Sequence, residues 1–132
     1  EPEKFMFLQS IAKNAKLEEK TEFGKTALFY AIQFNNLESV KILIENGANV
    51  NSSLVNDEDK YVWYDLKYVR GFTPLAYSIR YGSKAMTKYL VKNKATLKDV
   101  PIHELRDLVR GDEQLFKRRM AIIDAHADGA KP

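Results

Sequence analysis

Apolar positions recur at helical spacing in several parts of the chain. Thr26 opens the stretch TALFYAIQ, a short apolar run whose first residue is of the type that caps a helix. After a turn, Val40, Leu43 and Ile44 fall on one side of a second helix. The same order returns at Thr73, where TPLAYSIRY begins with a cap and with Pro74 suited to the first turn. Met86, Leu90 and Val91 then form another buried stripe. Near the C-terminus, Gly111-Asp112 reads as a turn, and Leu115, Phe116, Met120 and Ile123 continue the helical pattern.

One segment has a different period. Val62, Tyr64, Leu66 and Tyr68 alternate with Tyr61, Trp63, Asp65 and Lys67, which is a strand pattern. Residues 49–55 are placed to pair with residues 60–69 across Asn56-Asp57-Glu58-Asp59, and the expectation is an elongated β-hairpin. An isolated two-stranded ribbon is marginal, so it must lie back on the helices or be stabilised by a partner.

The helical parts are repeats of one unit. Gly24-Lys25-Thr26-Ala27-Leu28 through Asn46-Gly47-Ala48-Asn49-Val50-Asn51 matches Gly71-Phe72-Thr73-Pro74-Leu75 through Asn93-Lys94-Ala95-Thr96-Leu97-Lys98 without an internal gap. Gly47 stands where the helix end wants a left-handed residue. Lys94 stands at the same place in the second copy, where a side chain costs about 1 kcal/mol.

The units GKTALFYA, ENGANVN and GFTPLAYS resemble the ankyrin repeat, which consists of a turn, a short TPLH-like helix, a second helix ending in Gly-Ala, and a hairpin loop. The resemblance implies a mainly α fold: an ankyrin-like α-solenoid of stacked helix-turn-helix repeats with one inserted β-hairpin. Gly24 to Gly71 spans 47 residues, 14 more than the ankyrin period, and the excess lies between Asn51 and Gly71. Ala15 to Ala48 is 33 residues, so Phe5 to Asn14 is expected to be the second helix of a repeat that the chain enters midway. The expected organisation is a single ankyrin-repeat domain over 1–132: a leading half repeat (1–20), a full repeat (21–53), the ribbon (54–68), a full repeat (69–99), and a degenerate capping repeat with tail (100–132). Phe29 and Ala76 replace the motif's histidine, so the hydrogen bonds it contributes around the turns are expected to be absent or replaced.

Composition narrows the chemistry. With 45% hydrophobic and 30% charged residues, the 132-residue chain has the balance of one folded domain. The net charge of +3 arises from 21 basic and 18 acidic residues. That charge argues weakly for nucleic acid, because Asp57, Glu58, Asp59 and Asp65 oppose Lys60, Lys67 and Arg70. The cluster Lys117, Arg118 and Arg119 adjoins Asp112 and Glu113 and is read as a solvated helical face. With no cysteine, there is no disulfide framework and no thiolate site. His103 and His126 fall in no metal or catalytic spacing, and the acidic turn lacks the glycine and distant glutamate of a calcium loop. Phosphate-loop, nucleophile-elbow and zinc-protease motifs do not occur. No catalytic residue, metal or cofactor is expected. No apolar run reaches the length of a membrane span. Residue 1 is Glu, from which we expect a longer natural N-terminus; the compartment stays open between cytoplasm and export.

The resemblance therefore implies a non-catalytic protein-protein interaction module whose partner is another protein; a monomer is expected, with self-association as the alternative. Ankyrin proteins commonly meet partners with their hairpin tips and the exposed side of their first helices. Carried over position by position, that surface comprises Glu22, Phe23, Lys25, Gln33 and Phe34, then Val69, Arg70, Phe72, Arg80 and Tyr81. Tyr61, Trp63 and Tyr64 of the ribbon would extend it, since Trp and Tyr are enriched at interface hot spots. Two other roles compete for these aromatics. They would enlarge a small core, or the ribbon edge would pair with another copy of the chain in a structural role.

Overall fold

The computed structural model describes residues 16–21, 24–54, 71–109 and 111–129, with side chains as far as 127. Six helices lie among them: α1 (Ala27–Gln33), α2 (Leu37–Glu45), α3 (Pro74–Tyr81), α4 (Lys84–Lys92), α5 (Ile102–Leu108) and α6 (Glu113–Gly129). They stack side by side, with α1 against α2 and α3, α3 against α4, and α6 against α4 and α3.

Local chemistry sets the helix boundaries. Asn36 Oδ1 accepts from Ser39 N at 3.1 Å to start α2, and Ser83 Oγ accepts from Met86 N at 3.2 Å to start α4. Thr73 Oγ1 accepts from Ala76 N at 3.4 Å and donates to the Thr96 carbonyl at 2.8 Å, so it starts α3 and fastens it to the next loop. Thr26 does not cap: its backbone is extended, but its buried Oγ1 has no hydrogen-bond partner among the described residues. The turn between α3 and α4 is tight at Gly82, where a Cβ would sit 2.9 Å from Met86 Cγ and 3.1 Å from the Ser78 carbonyl.

The second helices end alike. Gly47 N and Ala48 N donate to the carbonyls of Ile44 and Leu43, and Lys94 N and Ala95 N donate to those of Val91 and Leu90. Both are Schellman ends with a left-handed residue, Gly47 at φ 99° and Lys94 at φ 70°. Asn46 and Asn93 reinforce them, their Nδ2 atoms donating to Ile42 and Tyr89 carbonyls at 2.7 and 2.8 Å.

Leu28, Phe29, Ile32, Val40, Leu75, Ile79, Met86 and Leu90 form one continuous core that reaches Leu105 and Phe116. Phe29, in the position of the motif's histidine, is buried and meets Tyr77 edge-to-face at 5.4 Å. Polar ties between units come from asparagine. Asn51 Oδ1 accepts from Thr96 N at 2.8 Å while its Nδ2 donates to the Lys94 carbonyl at 3.1 Å. At the opposite end of the stack's width, Asn35 Oδ1 accepts from Ser83 N at 2.9 Å. These residues and Thr73 supply side-chain hydrogen bonds between neighbouring loops.

The expected β-hairpin is not supported. No strand occurs among the described residues, and residues 49–54, the expected first arm, make turn and side-chain contacts. Leu54 N donates to the Phe72 carbonyl at 2.9 Å and Gly71 N donates to the Leu54 carbonyl at 2.7 Å, so Leu54 pairs with the start of the second unit. Residues 55–70, which hold the rest of the ribbon, lie outside the described residues.

Candidate protein-binding surface

The surface begins with a lysine that the fold has drawn inward. Lys25, just before α1, is only 3% exposed. Its Nζ donates to Gln33 Oε1 at 3.0 Å and lies 5.5 and 5.6 Å from the ring centres of Tyr30 and Tyr77. Tyr77, on α3, donates its hydroxyl to the same Gln33 oxygen at 3.1 Å. Lysine can only donate, so the atom facing it must be the amide oxygen, and the orientation of Gln33 follows from chemistry.

From Tyr77 the contacts run outward along α3. Its ring centre is 4.5 Å from that of Tyr81, and the Arg80 guanidinium lies over the Tyr81 ring at 5.0 Å. Arg80 is exposed and Tyr81 half-buried. Beside them, Phe34 closes α1 and is 73% exposed. The bond from Ser83 N to Asn35 Oδ1 holds the α1–α2 turn against the α3–α4 turn, so Phe34 and Arg80–Tyr81 stand at neighbouring helix ends.

Of the residues expected at the surface, the structure thus gathers Gln33, Phe34, Arg80 and Tyr81 on the inner helices. Two expectations are corrected. Phe72 is fully buried, because the Leu54–Phe72 pinch turns its ring into the core. Lys25 is buried because Gln33 and two tyrosine rings take up its ammonium. Glu22, Phe23, Tyr61, Trp63, Tyr64, Val69 and Arg70 lie outside the described residues.

Sequence reasoning missed Tyr77, which links Gln33 to Tyr81, although its spacing of four from Tyr81 on one helix was available as a signal. It also placed Arg119 on a solvated face. Lys117 and Arg118 are exposed, but Arg119 is 8% exposed and donates from Nη1 to the Ser78 carbonyl at 3.1 Å and to Thr87 Oγ1 at 2.9 Å. Burial pushes its guanidinium below the ordinary arginine range.

A concavity of about 390 Å³ lies between α5 and α6, lined by Val109, Phe116 and Met120 together with Arg106, Glu113, Lys117 and Asp124. Its lining carries both signs of charge. No group of three metal-ligating side chains occurs among the described residues, and none of their helices is long and apolar enough to cross a membrane. His103 and His126 are both exposed.

Paired short helices and repeated Schellman ends are the features of a repeat protein. The family model for ankyrin repeats (3 copies) matches residues 3–100, and the chain belongs to the ankyrin-repeat family. No curated protein and no solved structure matches it. Ankyrin repeats are generally protein-protein interaction modules, which supports a non-catalytic binding role.

Proposed function

We propose that this chain binds another protein through the ends of its inner helices, with Phe34, Arg80 and Tyr81 at the centre and Gln33 behind them. The observation that carries the reading is Phe34: a phenylalanine 73% exposed at a helix end that is itself fastened to the neighbouring unit. A large apolar side chain held in water on a fixed backbone offers contact area with little ordering cost. Arg80 on Tyr81 adds a second anchor of the residue types that dominate interfaces. Phe23, Tyr61, Trp63, Tyr64 and Arg70 belong to the same proposal as its hairpin-side extension. Leu54 and Gly71, hydrogen-bonded at 2.7 Å, fix the base from which most of that extension departs.

A photo-reactive benzophenone amino acid placed at position 34, with a control at Lys88 on the outer face of α4, tests this reading in extract from the source cells. Cross-linking of a discrete protein from position 34 and not from position 88 is the expected result. Cross-links formed only from position 88, or from neither, would overturn it.

A further inference from the structure

We infer that the segment this surface takes carries a carboxylate side chain beside an apolar one. The inference rests on the binding reading above and names the partner's chemistry.

The functional groups on offer are donors and apolar surface. Gln33 Oε1 is occupied by Lys25 Nζ at 3.0 Å and Tyr77 hydroxyl at 3.1 Å, and its Nε2 has no partner among the described residues. Arg80 stacks on Tyr81 and pairs with no carboxylate among the described residues. With its Cζ 5.0 Å from the Tyr81 ring centre and its side chain exposed, the guanidinium keeps N–H donors in reach of solvent, and a planar fork of that kind takes a carboxylate through two parallel bonds. Phe34, next to Gln33 in the chain, supplies the apolar contact.

The surroundings select for an anion. Neither α1 nor α3 contains an acidic residue, and Asp and Glu are absent from residue 66 through residue 98. A carboxylate arriving at Arg80 therefore meets no acidic side chain from either inner helix.

The same inventory disfavours a polyanion. Arg80 is the single cation of α1 and α3 together, whereas nucleic acid is held by stripes of cations tracking successive phosphates. The residues that come nearer to a stripe, Lys84, Lys88 and Lys92, are exposed on α4, the outer helix of the pair. One fork of donors, one amide donor and one phenyl ring match a single acidic side chain with an apolar neighbour, as an extended peptide presents them.

A library of random short peptides displayed on phage, panned against the whole chain, is the probe. Enriched peptides are then synthesised and titrated into isotopically labelled protein. The expected result is enrichment of Asp or Glu adjacent to Leu, Ile, Phe or Met, with amide shifts centred on Phe34, Arg80 and Tyr81. Arg80→Gln should weaken those peptides by about tenfold or more, Arg80→Lys by less, and Lys88→Gln negligibly. Replacing the peptide's acid by its amide should reproduce the Arg80→Gln loss. Neutral peptides that shift the same amides would overturn the acidic preference while leaving the binding surface standing. Peptides or nucleic acid that shift only Lys84, Lys88 and Lys92, or the α5–α6 concavity, would overturn both. Failure of any peptide to enrich would overturn the inference.

Discussion

Arg119 donates from Nη1 to the backbone carbonyl of Ser78 at 3.1 Å, joining the last helix to the inner helix of the preceding unit. The same nitrogen reaches Thr87 Oγ1 on α4 at 2.9 Å, and Ser78 and Thr87 hydroxyls are 3.0 Å apart. A buried polar knot therefore fastens the C-terminal pair to the stack. Arg119→Ala removes a charge-assisted bond and leaves space in a packed junction, and should lower the free energy of unfolding by about 2–3 kcal/mol. Urea denaturation measures it; a loss under about 0.5 kcal/mol would mean that the C-terminal pair is held by Phe116 and its apolar neighbours alone.

Asn51 acts as a clamp between units, accepting from Thr96 N and donating to the Lys94 carbonyl. Both bonds are exposed, so each contributes modestly. Asn51→Ala should destabilise by about 1–2 kcal/mol, with earlier hydrogen exchange at the Thr96 amide, which donates to Asn51 Oδ1.

Left-handed backbone gives opposite signs at equivalent positions. Lys94 at φ 70° carries a Cβ where glycine fits better, and Lys94→Gly should raise stability by about 0.5–1 kcal/mol. Gly47→Ala, at φ 99°, should lower it by about 1 kcal/mol, although open space surrounds the added methyl. Thermal melts of the two variants check the pair; shifts of the same sign would contradict it.

Tyr89 should ionise above its ordinary value of 10.0. Burial is the main cause, the nearby Glu45 carboxylate adds to it, and a hydrogen bond from Asn93 opposes both. A raised phenol pKa means that the native state holds this proton more tightly than the unfolded chain. The stabilisation is full below pH 10 and is lost as pH rises through the native value. Carbon-13 labelled tyrosine followed by NMR resolves this residue, and Glu45→Gln should bring its midpoint part of the way back towards 10.0.

Much of this fold was legible because its signals are local. Helix period, Pro74 at a first turn and the Gly-Ala end of α2 are decided within a few residues, and the gapless match of two units carried the stacking with them. What the sequence hid depends on contacts between distant residues. Phe72 and Phe34 both sit at expected surface positions, yet one is buried by a backbone pinch with Leu54 and the other stands in water. Lys25 looked like a surface cation until Gln33, Tyr30 and Tyr77 surrounded it, and Arg119 sat in a run of three basic residues of which only its direction from the helix faces inward. Alternation between Tyr61 and Tyr68 suggested a strand, but period two fixes no pairing partner, and Leu54 bonds elsewhere.

Binding at the ends of α1 and α3 is checked by amide hydrogen exchange of the chain alone and with the protein captured from position 34. Exchange should slow at the facing ends of α1 and α3, across residues 33–36 and 79–83, with the outer face of α4 unchanged. Protection confined to α2, α4 or the α5–α6 concavity would contradict it.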